Sequence, residues 1–266
     1  MMNLKQKYGN TALVAGASEG IGRAFATYLA AEGIDLVLIA RRLQPLLELA
    51  GEIETRYKIN VTCIPCDLSD PDATIQIVKE LNGREIDLLV YNAALSYLGE
   101  FIRNSAENHS TAARVNMITP MNMVHLFGEK MLSRGKGAVV LMTSLAGLQG
   151  SGYLSVYAAT KAFNRILAES LWYEWKSKGV DVIGCCAGAT ATPGYKSTLP
   201  GKTGFLSPRV LEPEEVAEEC LKKLGKQPSY ITGRGNRIAS FFMQKILPRK
   251  MAITIMGDTT KKMYRL

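Results

Sequence analysis

The sequence predicts an α/β fold, a doubly wound parallel sheet of about seven strands with helices on both faces. Short, continuous apolar stretches alternate with longer stretches of helical apolar spacing along the chain. The short stretches lack the in–out alternation of a sheet with one wet face, so both of their faces are expected to be covered. A glycine-rich turn between the first strand and the first long helix is the third sign.

Taken in order, residues 11–16 form a short apolar strand, and residues 20–32 place Ile21, Phe25, Tyr28 and Leu29 at helical spacing. A second strand, 35–40, precedes a helix at 44–57. Strands follow at 60–65, 86–91, 138–143, 180–185 and 229–232, with helices at 71–81, 107–133, 156–178 and 213–224 between them. Right-handed crossovers then wind the helices onto both faces. No repeat or linker interrupts the pattern, so residues 1–266 are expected to form one domain. Residues 188–209, rich in Gly, Pro, Ser and Thr, follow the sixth strand. They should overhang the carboxyl edge of the sheet, where such folds bind ligands, and act as a lid.

Apolar residues make up 47% and charged residues 21%, an ordinary globular balance. No run of 18 apolar residues and no signal peptide is visible, so the chain is expected in the cytosol. The five Cys are an odd number, which argues against a disulfide framework. Cys63-Ile-Pro-Cys66 has redox-motif spacing but reads better as a buried strand end. The two His, His109 and His125, look like helix residues without metal-ligand spacing, and no metal is predicted. The net charge of +8 is concentrated in residues 222–266, which hold 11 Lys and Arg against one acid, Asp258. This basic tail, from about residue 235, lacks a nucleic-acid motif. It reads first as a solvated helix surface, with an acidic substrate or weak contact with an anionic membrane surface as alternatives.

The first strand ends in Ala15-Gly16-Ala17-Ser18-Glu19-Gly20-Ile21-Gly22 and opens a helix. Glycines let the backbone approach a pyrophosphate, whose charge sits at the helix N-terminus. The turn and its setting predict a Rossmann-type dinucleotide site. An acid at the end of the second strand would bind the ribose 2′-hydroxyl of NAD. Here the chain reads Ala40-Arg41-Arg42, which suits the 2′-phosphate of NADP(H). Glu19 complicates this, since its carboxylate could repel the phosphate or bind Arg41.

Along nearly its whole length the chain resembles the short-chain dehydrogenase/reductase family. The glycine turn resembles the family's Thr-Gly-x-x-x-Gly-x-Gly, with Ala15 for Thr. Asp67-Leu68 resembles its adenine-contacting pair, and Asn92-Ala93-Ala94 its Asn-Ala-Gly with a final Ala. Asn116 stands where the family has an active-site Asn, and Ser144 where it has its Ser. Tyr157-Ala-Ala-Thr-Lys161 matches Tyr-x-x-x-Lys, 13 residues after Ser144. Gly188, Thr190 and Thr192 fall in a Pro-Gly-x-Val-x-Thr-like segment with Ala187 for Pro. Shorter stretches at 2–9, 16–20, 190–193, 197–201 and 223–226 look similar to bacterial 7β-hydroxysteroid dehydrogenases, whereas the tail after Gly235 does not. The resemblance implies NADP(H) and a homodimer or homotetramer paired through the long helices at 107–133 and 156–178.

The chemistry also reads from the residues. Tyr157 and Lys161 are one helical turn apart. An ammonium there is expected to lower the phenol pKa, and an oxidised nicotinamide to lower it further, making Tyr157 a proton donor and acceptor. Ser144 is expected to bind the carbonyl oxygen, and Asn116 a water linking Lys161 to solvent. Leu95, Ser96, Gln149, Tyr153, Pro193, Tyr195 and Leu199 are expected to line a pocket for a small hydrophobic ketone or secondary alcohol. Two alternatives stay open: a 3-oxoacyl-thioester reductase, and a non-catalytic nucleotide sensor on the same fold.

Overall fold

The computed structural model describes residues 3–198 and 209–266. The chain runs α1 (Leu4–Tyr8), β1 (Thr11–Ala15), α2 (Gly20–Ala31), β2 (Asp35–Ala40), α3 (Leu43–Tyr57), β3 (Val61–Pro65), α4 (Ala73–Leu81) and β4 (Leu88–Tyr91). It continues with α5 (Ala106–Ala113), α6 (Thr119–Arg134), β5 (Gly137–Ser144), α7 (Ser155–Trp175), β6 (Val180–Ala187), α8 (Pro193–Ser197), α9 (Pro213–Lys223), β7 (Ser229–Ile231), α10 (Arg234–Phe241) and α11 (Arg249–Tyr264). The seven strands make one parallel sheet in the order β3-β2-β1-β4-β5-β6-β7.

Both faces of the sheet are covered because alternate strand residues are apolar on both sides. Ala12 and Val14 of β1 pack with Phe25 and Leu29 of α2. Leu13 and Ala15, pointing the other way, pack with Met123 and Phe127 of α6. The strand order reverses at β1 and β4, and their carboxyl ends open the crevice where this fold binds its ligands.

All seven expected strands are present, but a short α1 precedes the first and the later helices differ in three places. The single helix expected over 107–133 is broken by a wide turn at Arg114–Ile118, where the Thr119 N–H reaches back five residues to the Arg114 carbonyl. The turn brings Val115 and Asn116 inward, and the Asn116 side chain leaves the helix to bond a neighbouring loop. Within the expected lid, Thr192 caps a short helix, α8, by accepting from the Tyr195 N–H at 3.1 Å. The basic tail forms α10 and α11, which bury Asn236, Ser240, Ala252 and Thr260. It is therefore not a purely solvated surface.

Candidate active site

The glycine turn is shaped by contacts that leave no room for side chains. A Cβ at Gly22 would sit 1.9 Å from the Gly16 carbonyl oxygen, and one at Gly16 2.7 Å from Ala93. Gly16 also has φ of +79°, a left-handed conformation that glycine adopts without strain. Asn92 fixes the turn from β4, donating through Nδ2 to the Gly16 carbonyl at 3.0 Å. The first turn of α2 takes no side-chain cap from Glu19, so its N–H groups are left for an anion such as a pyrophosphate. Ser18, Ile21 and Ala94 lie on this turn and on the segment after β4. A dinucleotide therefore fits the residues present.

Glu19 instead pairs with Arg42, Oε2 to Nη2 at 3.1 Å, with both side chains largely exposed. Of the two expectations for Glu19, binding to Arg41 is replaced by this pairing with Arg42. Arg41 faces Asp67. The Ser69 backbone N–H at 2.9 Å and its hydroxyl at 2.7 Å hold Asp67 below its ordinary pKa, and the Arg41 guanidinium adds to that. The Leu68 carbonyl accepts from Thr119 Oγ1 at 2.8 Å, tying this adenine-side loop to α6.

Ser144 ends β5, and Tyr157 and Lys161 lie on α7, whose first turns pack on the 145–148 segment. Lys161 is buried and donates to the Met142 carbonyl at 2.9 Å, with Nζ 5.7 Å from the Tyr157 ring centre. Burial lowers Lys161 to about 8, partly opposed by the Cys185 sulfur. Burial also pushes Tyr157 above its ordinary value. The neighbouring Ser144 hydroxyl pulls it back in part, and Tyr264 adds to the rise. Burial is the largest influence on Tyr157, and the Lys161 ammonium donates to the Met142 carbonyl rather than to the phenol.

Asn116 is fully buried. Its Oδ1 accepts from Leu95 N at 2.8 Å, and its Nδ2 donates to Leu95 O at 2.7 Å and to Thr160 Oγ1 at 3.1 Å. Its own carbonyl accepts from Asn164 Nδ2 at 2.9 Å. The Asn116 side chain thus positions the loop after β4.

The expected pocket residues divide. Leu95, Ser96 and Tyr153 are half-buried or exposed on the loops after β4 and β5, as are Pro193 and Tyr195 on α8 after β6. Tyr153 has φ of +63°, a strained conformation for this residue type, with its carbonyl accepting from Gly99 N at 2.9 Å. Gln149 does not face an open pocket. It is 7% exposed, donates to Leu145 O and accepts from Gln244 Nε2 at 2.7 Å. Leu199 lies outside the described residues. Gly188, Thr190 and Thr192 follow β6. Thr190 Oγ1 donates to the Gly188 carbonyl at 3.1 Å, and a Cβ at Gly20 would sit 2.7 Å from Thr192.

The tail contributes side chains that the sequence reading passed over. Arg249 donates to the Leu148 carbonyl at 3.3 Å. A Cβ at Gly150 would stand 3.6 Å from Ile253, and one at Gly152 3.5 Å from Gly257. Tyr264 reaches the neighbourhood of Tyr157, Tyr195 and Thr198. The four-residue spacing of Ala252, Met256, Thr260 and Tyr264 was the available signal for an inward helix face.

Cys63 and Cys66 are free thiols. Burial raises the pKa of both, to about 11 for Cys66, so neither resembles a reactive redox thiol. His109 lies on α5 with Nε2 2.9 Å from the Phe101 carbonyl, and His125 is on α6. Among the described residues no cluster of His, Cys, Asp and Glu could hold a metal, and no helix is long and apolar enough to cross a membrane.

The chain is similar to a 7β-hydroxysteroid dehydrogenase of Collinsella aerofaciens, 34% identical over 89% of this chain and 90% of the relative. It is also 30% identical to a very-long-chain 3-oxoacyl-CoA reductase of Danio rerio, over 91% of this chain and 78% of the relative. A structure solved for insight into 7β-hydroxysteroid dehydrogenase stereoselectivity superposes with a TM-score of 0.90 at 32% identity, covering 96% of this chain and 99% of that one. Residues 10–202 match the family described as short chain dehydrogenase. The match spans the glycine turn, the strand ending in Ser144 and the helix carrying Tyr157 and Lys161, and the chain belongs to the short-chain dehydrogenase/reductase family of oxidoreductases.

Proposed function

We propose that this chain interconverts a hydrophobic ketone, of hydroxysteroid type, and its secondary alcohol with NADP(H). The observation that carries the reading is the grouping of Ser144, Tyr157 and buried Lys161 at the same sheet edge as the glycine turn. When bound, NADPH supplies the hydride and NADP accepts it. The Tyr157 phenol, held above its ordinary pKa, is protonated at neutral pH and gives its proton to the substrate oxygen. The Ser144 hydroxyl donates a hydrogen bond to that oxygen as charge develops. Lys161 keeps a positive charge beneath the phenol ring.

Arg41 supports the choice of NADP(H): it follows Ala40 with no carboxylate in the ribose position, whereas Arg42 is already paired with Glu19. The 7β-hydroxysteroid dehydrogenase relative and the apolar residues Leu95 and Tyr195 support a bulky apolar substrate. The reductase relative keeps a 3-oxoacyl thioester as the second reading. One domain, a cytosolic location and a two-fold homo-oligomer belong to the same proposal.

NADPH oxidation measured with a steroid ketone and with an acetoacetyl thioester tests it. Turnover of the steroid ketone is expected, falling at least about 10²-fold in Tyr157→Phe. Turnover of the thioester alone would move the assignment to the second reading. No turnover of either, with the nucleotide still bound, would favour a sensor.

A further inference from the structure

The outer surface running from α10 to α11 is unused by the site. Residues 234–266 carry eight Lys and Arg against a single acid, Asp258. Among the described residues Arg237 alone of the eight is ion-paired, to Glu219 at 3.0 Å. Apolar side chains stand between these charges. Phe241, Phe242 and Ile246 are 56%, 54% and 58% exposed, with Lys245 beside them. Lys250 and the half-exposed Met251 follow on α11. The two phenylalanine rings pack edge to face with centres 5.9 Å apart, so they stand as one wedge.

We infer that this surface docks on an anionic lipid bilayer. Phe241, Phe242 and Ile246 enter the boundary between headgroups and acyl chains, and Lys245 and Lys250 meet lipid phosphates. Charge complementarity selects this occupant. Two copies facing each other would bring together surfaces that each carry a large positive excess. A nucleic acid would satisfy the cations but leave the aromatic wedge in water. The opposite side of α11 packs on the 148–153 loop and ends at Tyr264 near Tyr157. Docking therefore holds the candidate site at the bilayer, where an apolar ketone concentrates. That consequence rests on the function proposed above; the docking itself does not.

Flotation of the full chain with vesicles of phosphatidylcholine, alone or with equimolar phosphatidylglycerol, tests the docking without turnover. Binding is expected to the anionic vesicles only, weakening as salt is added. The pair Lys245→Gln/Lys250→Gln should weaken it about 25-fold, about fivefold per cation. The pair Phe241→Ser/Phe242→Ser should abolish flotation at salt levels where the wild type still floats. Both variants are expected to keep the wild-type melting transition. Absence of wild-type flotation, or equal flotation with both vesicles, overturns the inference. So does flotation that survives loss of the phenylalanines but not of the lysines, which marks plain polyanion binding. Light scattering that shows the phenylalanine variant breaking a wild-type dimer would assign the surface to a second copy instead.

Discussion

Asn116 clamps Leu95 by both of its backbone groups, accepting from the N–H at 2.8 Å and donating to the carbonyl at 2.7 Å. The amide thus extends the loop after β4 as an adjacent strand would, and Thr160 Oγ1 at 3.1 Å takes its second proton. Asn116→Ala removes all three partners at once. Buried polar groups left unpaired cost about 1–3 kcal/mol, and a loss in that range is expected from urea unfolding with an unchanged slope. KM for the ketone should rise with it, because Leu95 loses its position. A variant as stable as the wild type would show that the clamp is decorative.

Arg41 and Arg42 are expected to separate in their effects on cofactor choice. Arg41→Ala should raise KM for NADPH by about 10- to 150-fold, the value of one charge-assisted hydrogen bond, with little change for NADH. Arg42→Ala should do less, because Glu19 already holds that guanidinium at 3.1 Å. Glu19→Gln should lower KM for NADPH by freeing Arg42. Steady-state kinetics with both cofactors decide it, and a wild type that prefers NADH would reject the assignment.

The raised pKa of Tyr157 sets opposite pH profiles for the two directions. Ketone reduction needs the protonated phenol and should be flat through neutral pH in kcat/KM. Alcohol oxidation needs the proton removed and should climb with pH from neutral into the alkaline range. An oxidation profile that levels off below about pH 7 would mean that Tyr157 is not held up.

Lys161 makes a stability prediction. Below about pH 8 both the folded and unfolded chains hold its proton, so the burial cost is felt in full. Between about 8 and its ordinary value of 10.5 the unfolded chain keeps the proton while the folded chain releases it, so stability rises with pH in that window. Lys161→Met should therefore be the more stable protein at pH 7, although inactive. Its advantage should shrink by about 3 kcal/mol as pH approaches 10.5. Urea unfolding of both proteins at neutral and alkaline pH checks this, and a pH-independent difference would contradict it.

The sheet was legible because each strand is a short apolar run that both faces bury, so its pattern is local. The glycine turn was legible for the same reason: its demands fall on consecutive residues, and Gly16 and Gly22 leave no space for a Cβ. The wide turn at Arg114–Ile118 was not legible, because it depends on Leu95 and Thr160, distant in sequence. The same holds for Gln149, whose partner Gln244 lies 95 residues away, and for Glu19, whose choice between two neighbouring arginines is geometric. The tail misled because its net charge masked an inward stripe of small and apolar side chains.

The wide turn has a consequence for chain length. Each residue advances a helix by about 100°, so the extra residue held in Arg114–Ile118 is a phase slip between α5 and α6. Each half is seated against its own neighbours, and the slip keeps the two seatings compatible. Deleting one residue from 114–118 would let a continuous α-helix form with both halves still in phase, but it would withdraw the widened turn that carries Asn116 inward to Leu95. The segment should therefore tolerate little change of length: a deletion forfeits the Asn116 clamp on Leu95, whereas an insertion adds a second slip that turns α5 or α6 out of its seat.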